Sequence, residues 1–372
     1  MPSQERRCVY HVPYPIDANT TVGGQVRAGK MLTALQNWGE VWTVSGSAAQ
    51  RRRMMGQVRR AIRKGVHFDF CYSESSTMPT TMTEPHHLPL HPFLDLSFLS
   101  WLRAARVPVG LFYRDVYWKF PVYDDNGLPR YQQLAAKTMY RYDLLGYRSS
   151  VDVLFLPSLR MGELVDVGPR VRKEALPPGH DITDAPPEPA SSPLSLFYVG
   201  GMGSLYQMHE LCAAVTAVPE VSLTICTRPS EWESLRATYE PVMGPNISVV
   251  HANGKEALAP YFAAANVALM VFKPDDYRDF AAPLKLFEYI GNGKPIMATT
   301  GSLAGDIVGR DEIGWVVNYD REEIAGVLRR LVAHPEEVTA AHERVMAARD
   351  EHTWDARVAQ LAGTLASVDR RR

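Results

Sequence analysis

The sequence predicts an α/β protein of two doubly wound, Rossmann-like domains facing a cleft. Three observations predict it. Strand-like apolar runs alternate with amphipathic helical stretches throughout the chain. A glycine turn follows the first strand of each half. Residues 177–193, "PPGHDITDAPPEPASSP", carry six prolines in seventeen positions and read as a hinge, because no strand or helix survives that density.

The first half, 1–176, opens with "CVYHVPYP" as a buried strand. "DANTTVGGQ" is a turn, "VRAGKMLTALQNWG" an amphipathic helix and "EVWTVSG" the next strand. Strand, glycine turn, helix and strand make a βαβ unit and imply a parallel sheet. "FDFCYSES" and "VPVGLFYRD" are further strands, and "VDVLFLPS" closes this half. The second half, 194–352, repeats the grammar: "LSLFYVGGMGS" (strand and glycine turn), "LYQMHELCAAVTAV" (helix), "VSLTICTRP" and "ISVVHA" (strands), "EALAPYFAAA" (helix) and "NVALMVF" (strand). "APLKLFEYIGNGKPIMATTGS" is a helix, a stop and a strand, then comes "GWVVNY"; about 321–372 is mostly helical. Ligands of such sheets sit beyond the carboxyl ends of the strands.

Composition narrows the function. The chain has 372 residues, more than one ordinary core organises. It is 46% hydrophobic and 22% charged, with a net charge of −1, which argues against a dedicated nucleic-acid binder. The start lacks the apolar run of a signal peptide, and no stretch approaches the ~18 apolar residues of a membrane span. The four cysteines are scattered without a CxxC pair, so the expected setting is a reducing cytoplasm.

The helix in 282–302 poses a chemical question. Pro283 suits its first position, and Gly291, Gly293 and Pro295 end it. Lys285 then lies in the first turn, beside the positive end of the helix dipole, a placement that costs about 0.3–1 kcal/mol unless an anion sits there. Glu288 follows one turn later on the same side, and Leu284, Phe287 and Ile290 supply the packed stripe. Lysine, dipole end and carboxylate are suited to a phosphate and a sugar hydroxyl; the alternative is a lysine snorkelling into water with Glu288 as its surface partner.

Other segments carry similar pairs of readings. The turn "YVGGMGS" (Gly200, Gly201, Gly203) offers backbone N–H groups to a diphosphate, or is a tight turn packing helix on strand. It lacks GxGxxG spacing, and the next strand ends in Arg228 rather than an acid, which disfavours a nicotinamide dinucleotide. Arg228 is a phosphate partner or a solvated arginine. Gly23 and Gly24 open a helix in the same way. In "LFYRDVYWKFP" a strand runs into Arg114 and Asp115 and then Tyr117 and Trp118; charges and aromatics there suit a sugar-like acceptor, or Arg114 and Asp115 pin a loop as an ion pair. "QRRRMMGQVRRAIRKG" (50–65) has seven basic residues, no acid, and an apolar stripe of Met54, Met55, Val58 and Ile62. It is either a peripheral contact with an anionic membrane or a solvated face. The histidines of "EPHHLPLHP" lack a ligand pattern, and the chain has no D-x-D, so no metal site is expected.

Together the glycine loop at 23–24, "LPPGHD" (176–181), "YVGGMGS" and above all "PLKLFEYIGNGKPIMAT" resemble the GT-B glycosyltransferases, in particular the large retaining family four group and its bacterial surface-polysaccharide members. The resemblance covers most of the chain and is strongest over 176–317. It implies transfer of a hexose from a nucleotide diphosphate sugar to the hydroxyl of a glycan or lipid-linked acceptor, with retention, without metal or other cofactor, in the cytoplasm or at the inner membrane face. It assigns Glu288 to the ribose, and Lys285, Leu284, Gly23, Gly24, Gly201, Gly203 and Arg228 to the donor. Asp115 and Arg114 become the catalytic pair, with Tyr117 and Trp118 at the acceptor. Trp354 resembles the tryptophan of the closing helix, about 353–372, that crosses back to the first domain. There are departures: Phe280, beside Asp279, stands where the group often has a glutamate at the donor sugar. The usual Arg and Lys are missing from "GGMGSLYQMHE", and Arg114–Asp115 replace a histidine. A non-catalytic relative that binds the nucleotide sugar or stabilises a partner, and a sugar-nucleotide epimerase of the same fold, are the alternatives.

Overall fold

The computed structural model describes residues 5–17, 23–124, 127–181, 193–276 and 279–369. Most of the proline-rich 177–193, and the "DN" at 125–126, lie outside them. The chain divides into two compact units, residues 1–178 with 354–372, and residues 179–353.

Unit 1 begins β1 (Arg7–His11), α1 (Gly23–Trp38), β2 (Glu40–Val44), α2 (Ala48–Arg63), β3 (Phe70–Glu74), α3 (Leu94–Ala104) and β4 (Val109–Phe112). It continues α4 (Arg130–Ser150), β5 (Val153–Leu156), α5 (Leu159–Glu163) and β6 (Arg172–Ala175). The strands pair in parallel in the order β2-β1-β3-β4-β5-β6, six strands among the described residues. β6, "RKEA", is an element the sequence reading lacks; it is a polar edge strand with no apolar run to announce it.

The segment 50–65 corrects an expectation. It forms α2, whose start is closed by a capping box between Ser47 and Gln50. Met55 and Val58 are buried and Met54 and Ile62 half-buried, so the apolar stripe faces this unit's own core rather than a lipid surface. Arg51 also turns inward. Its guanidinium grips Asp95 of α3 at 2.9 and 3.2 Å, and Asp95 also meets His11 Nε2 at 2.9 Å. Burial alone would raise the Asp95 pKa, but the hydrogen bond and charge of His11 and the Arg51 charge hold it below the usual carboxylate range.

Unit 2 runs β7 (Leu194–Val199), α6 (His209–Thr216), β8 (Val221–Cys226), α7 (Pro229–Tyr239), β9 (Ile247–Val250), α8 (Lys255–Ala264) and β10 (Val267–Met270). Then come α9 (Leu284–Gly291), β11 (Ile296–Thr299), α10 (Leu303–Arg310), β12 (Gly314–Val317), α11 (Arg321–Ala333) and α12 (Pro335–Ala348). Its parallel sheet has the order β12-β11-β10-β7-β8-β9. The order reverses beside β7, the kind of position where open sheets take ligands. His180, from "LPPGHD", is buried and donates from Nε2 to Arg349 O (2.8 Å), and its ring sits where a side chain at Gly291 would stand. The last helix, α13 (Trp354–Ala366), belongs to unit 1, where it packs on α1 with Trp354 buried. All four cysteines are free and buried.

Candidate functional site

In unit 2 the chemistry gathers where β7 and β8 end. β7 delivers the chain into Gly200, whose φ of +144° excludes ordinary side chains. α9 starts nearby. Pro283, expected at the first helical position, is the cap with ψ 137°, and the helix starts one residue later, at Leu284. Lys285 is therefore in the first turn, at the positive end of the helix dipole. Its amine folds back over the glycine turn, donates to Tyr198 Oη at 2.9 Å, and lies 4.8 Å and 4.6 Å from the Tyr198 and Tyr206 ring centres. Burial lowers the Lys285 pKa to about 8; Glu288 and Glu231 pull it up, and Arg228 pushes it down. Those three residues thus form its electrostatic surroundings. Glu288 is exposed one turn along α9, and Arg228 is the exposed cap residue of α7.

The glycine turn corrects a second expectation. The N–H groups of Met202 and Gly203 both point at one oxygen of Glu231, at 2.7 and 3.1 Å. The Gly203 N–H is therefore spent on a carboxylate of the protein itself. Glu231 is the third residue of α7, a position that aims a short side chain back past the helix start. The sequence reading missed it. Its signal was an acid three residues after the arginine that ends "LTICTR", within reach of a glycine turn. The turn thus seats a carboxylate of the chain itself. Beside it lies a shallow hollow of about 30 Å³, open to solvent and lined by Tyr206, Met270, Phe272, Pro283 and Ser302. Tyr206 is shared between this hollow and Lys285. Phe280 is 5% exposed, so a buried ring occupies the place to which the resemblance assigns a carboxylate.

In unit 1, Gly23 and Gly24 open α1; the residues before them lie outside the described set. Arg114 follows β4. It pairs with Glu74 at 3.3 Å, and also bonds Tyr14 Oη (3.2 Å) and Ser75 O (3.3 Å). Glu74 is wholly buried and also takes Tyr72 Oη at 2.9 Å and Arg27 at 3.3 Å. Two arginines thus share one carboxylate at the carboxyl end of β3. Neither Arg27 nor Glu74 was visible as a site residue in the sequence; the fold alone brings α1 over β3. Asp115 accepts the N–H of Tyr117 at 2.9 Å and so shapes the turn after β4. Tyr117 is half-buried against Tyr123. Trp118 corrects a third expectation. It is 4% exposed, its indole N–H is donated to Tyr113 Oη at 3.0 Å, and its ring stacks on Tyr140. It is a core residue and presents no face to an acceptor.

Residues 207–363 match a family described as glycosyl transferase-like. No curated protein sequence matches the chain. Solved structures do. A sucrose-phosphate synthase from Thermosynechococcus elongatus is similar with a TM-score of 0.62 at 15% identity, over 96% of this chain and 98% of that one. The Anabaena protein HepE, solved in complex with UDP-glucose, gives 0.60 at 11% over 97% and 100%. An α,α-trehalose-phosphate synthase (UDP-forming) from Burkholderia xenovorans, in complex with glucose-6-phosphate, gives 0.57 at 14% over 97% and 99%. At these identities the likeness is one of fold.

Proposed function

We propose that this chain, whose residues 207–363 match a glycosyl transferase-like family, moves a hexose from a nucleotide diphosphate sugar to an acceptor hydroxyl with retention. The acceptor in this reading is a glycan or a lipid-linked sugar of the kind used in cell-surface polysaccharide synthesis. The observation that carries the proposal is Lys285: a half-buried cation at a helix start, folded over a glycine turn that already holds one anion.

In this reading the diphosphate lies against the N-terminus of α9, with Lys285 on one side and Arg228 on the other. Glu288 takes a ribose hydroxyl, and the hollow beside Tyr206 and Pro283 receives part of the donor. The bond between the anomeric carbon and the diphosphate oxygen breaks, and a bond to the acceptor oxygen forms on the same face. The acceptor proton ends on the departing diphosphate. Lys285 and the helix N-terminus stabilise the charge that develops there, so the reading requires no metal. Asp115 and Arg114 are scaffold in this reading, shaping the segment after β4. HepE, solved with UDP-glucose, supports a UDP-sugar as the first donor to try. The buried Phe280 favours one rival, a relative that binds the nucleotide sugar without turning it over.

Calorimetry with UDP-, GDP- and dTDP-glucose tests the donor, and incubation of the binding donor with glycan and polyprenyl-linked acceptors, with and without EDTA, tests transfer. Binding that Lys285→Met abolishes, with product unaffected by EDTA, supports the proposal. Binding without turnover supports the rival. No binding, or affinity unchanged in Lys285→Met, overturns the site.

A further inference from the structure

The hollow beside Lys285 differs in chemistry from the charged groups around it. It is walled by Met270 and Phe272 at the end of β10, Ala281 and Pro283 before α9, and Ala304 of α10. Of its lining residues only Ser302 and Tyr206 carry a hydroxyl. Ser302 is committed to its own helix: it donates to Thr299 O at 2.7 Å and accepts the Gly305 N–H at 3.1 Å. Both backbone groups of Phe272 are closed off by one hydroxyl, since Thr299 Oγ1 accepts its N–H at 2.8 Å and donates to its C=O at 3.0 Å. The local sequence explains the rest. "FAAP" (280–283) sets four residues without a polar side chain in succession, and the last also lacks an N–H. The wall is stiff as well as apolar, because the Phe272 ring stands edge to face against Tyr198 at 5.4 Å and Tyr206 at 5.3 Å.

Size and position narrow the occupant. At about 30 Å³ the hollow takes one small group, about the share of liquid volume that a water fills. Water suits it poorly, since a held water needs about two to four polar partners. A hydroxyl has the same need, whereas a methyl group needs none and gains by leaving water. The hollow also adjoins the cation: Tyr206 lines it and carries Lys285 Nζ 4.6 Å from its ring centre. The group bonded directly to a diphosphate held by Lys285 is the donor sugar. A hexose has one exocyclic arm, which is CH2OH in the ordinary sugars and CH3 in the 6-deoxy sugars. An acetamido arm also ends in a methyl, but it brings a carbonyl and an N–H that this wall leaves without partners.

We propose that the donor is a nucleotide diphosphate 6-deoxyhexose whose C6 methyl sits in this hollow, selected by Met270, Phe272 and Ala281. The proposal rests on the reading of Lys285 and its surroundings as the donor seat. The test is calorimetry of the full chain with matched pairs that differ only at C6: UDP-glucose and UDP-6-deoxyglucose, GDP-mannose and GDP-6-deoxymannose, dTDP-galactose and dTDP-6-deoxygalactose. Free UDP, GDP and dTDP are the references. In the pair whose nucleotide binds, the 6-deoxy member should be about tenfold tighter, short of the roughly hundredfold by which a closed apolar pocket rejects an added hydroxyl. Ala281→Leu, at a half-buried loop position, fills the hollow and should bring the two members level. Met270→Gln offers the hydroxyl a partner and should level or invert the preference. The quantity read is the ratio within a pair, which a general loss of affinity does not imitate, and thermal melting confirms that each variant folds. A nucleotide that binds while its two sugars differ by less than threefold overturns this inference and leaves the donor seat standing. So does a preference unchanged in Ala281→Leu, or UDP-N-acetylglucosamine binding more tightly than either UDP-hexose. If none of the three nucleotides binds, the donor reading falls and the inference with it.

Discussion

The amine of Lys285 occupies the space that a side chain at Gly200 would need: a β-carbon built there would stand 1.8 Å from Nζ. Gly200 also has a φ of +144°, which only glycine adopts readily. Gly200→Ala is therefore expected to push the lysine off the turn as well as strain the backbone. Nucleotide-sugar affinity should drop at least tenfold, a loss of about 1.4 kcal/mol. Calorimetry on the variant checks it; an affinity within twofold of wild type would show that the lysine's placement over the turn does not matter for binding.

A second consequence follows from the charge state of that amine. Burial brings its pKa down to about 8, and a bound diphosphate favours the protonated form, so the pKa in the complex lies higher. Affinity should then be full below pH 8 and fall as pH rises past 8, by up to tenfold per unit, until the pKa of the complex is reached. Lys285→Arg keeps its charge across this range. Its affinity, whatever its level, should be flat from pH 7 to 9.5, and a titration series by calorimetry separates the two behaviours.

Glu231 couples to the same titration. Its negative charge raises the Lys285 pKa, while its carboxylate binds two N–H groups of the glycine turn. Glu231→Gln removes the charge and keeps an oxygen acceptor for those N–H groups. The pH at which nucleotide affinity begins to fall should move below 8 in this variant, with little change in melting temperature. Glu231→Ala leaves the N–H groups without their partner and should also lower stability, by about 1–3 kcal/mol. A midpoint unmoved in Glu231→Gln would show that the two side chains do not sense each other.

These relationships mark how far the sequence could be read. Period, turn glycines and prolines announce alternating strands and helices, because each is a local pattern. They placed the helix start before Lys285 to within one residue. The neighbours of Lys285 are not local. Tyr198 lies 87 positions away and Glu231 more than fifty, and only the sheet order brings them together. Lys294, nine residues on, makes the same point. It too is pushed to about 8 by burial, but it is wholly buried and donates to Ala265 O, so it ties down the end of α8 instead of facing a ligand. Nothing in "GNGKP" distinguishes the two lysines. Trp118 misled for a related reason: an indole beside charges after a strand looks like a sugar platform until Tyr113 and Tyr140 are seen to claim it.

Asp143 gives a prediction about stability rather than chemistry. It lies on the inner face of α4, 2% exposed, with Oδ2 accepting the Thr80 N–H at 2.6 Å and Oδ1 without a partner. Burial, with a smaller contribution from Asp95, raises its pKa to about 7. In the unfolded chain the same group titrates near 4. Between about pH 4 and pH 7 the native state thus holds a proton that the unfolded state has released. Stability must therefore decline through that window as pH rises, the reverse of the usual carboxylate. Asp143→Asn keeps an acceptor for Thr80 and carries no charge to bury. It should be more stable than wild type at pH 7.5 by about 1–3 kcal/mol, and the gain should shrink toward zero at pH 4–5. Urea denaturation of unit 1's signal at both pH values measures the difference. An equal effect at both would mean that the substitution acts through packing alone, and that the buried carboxyl does not hold its proton at neutral pH.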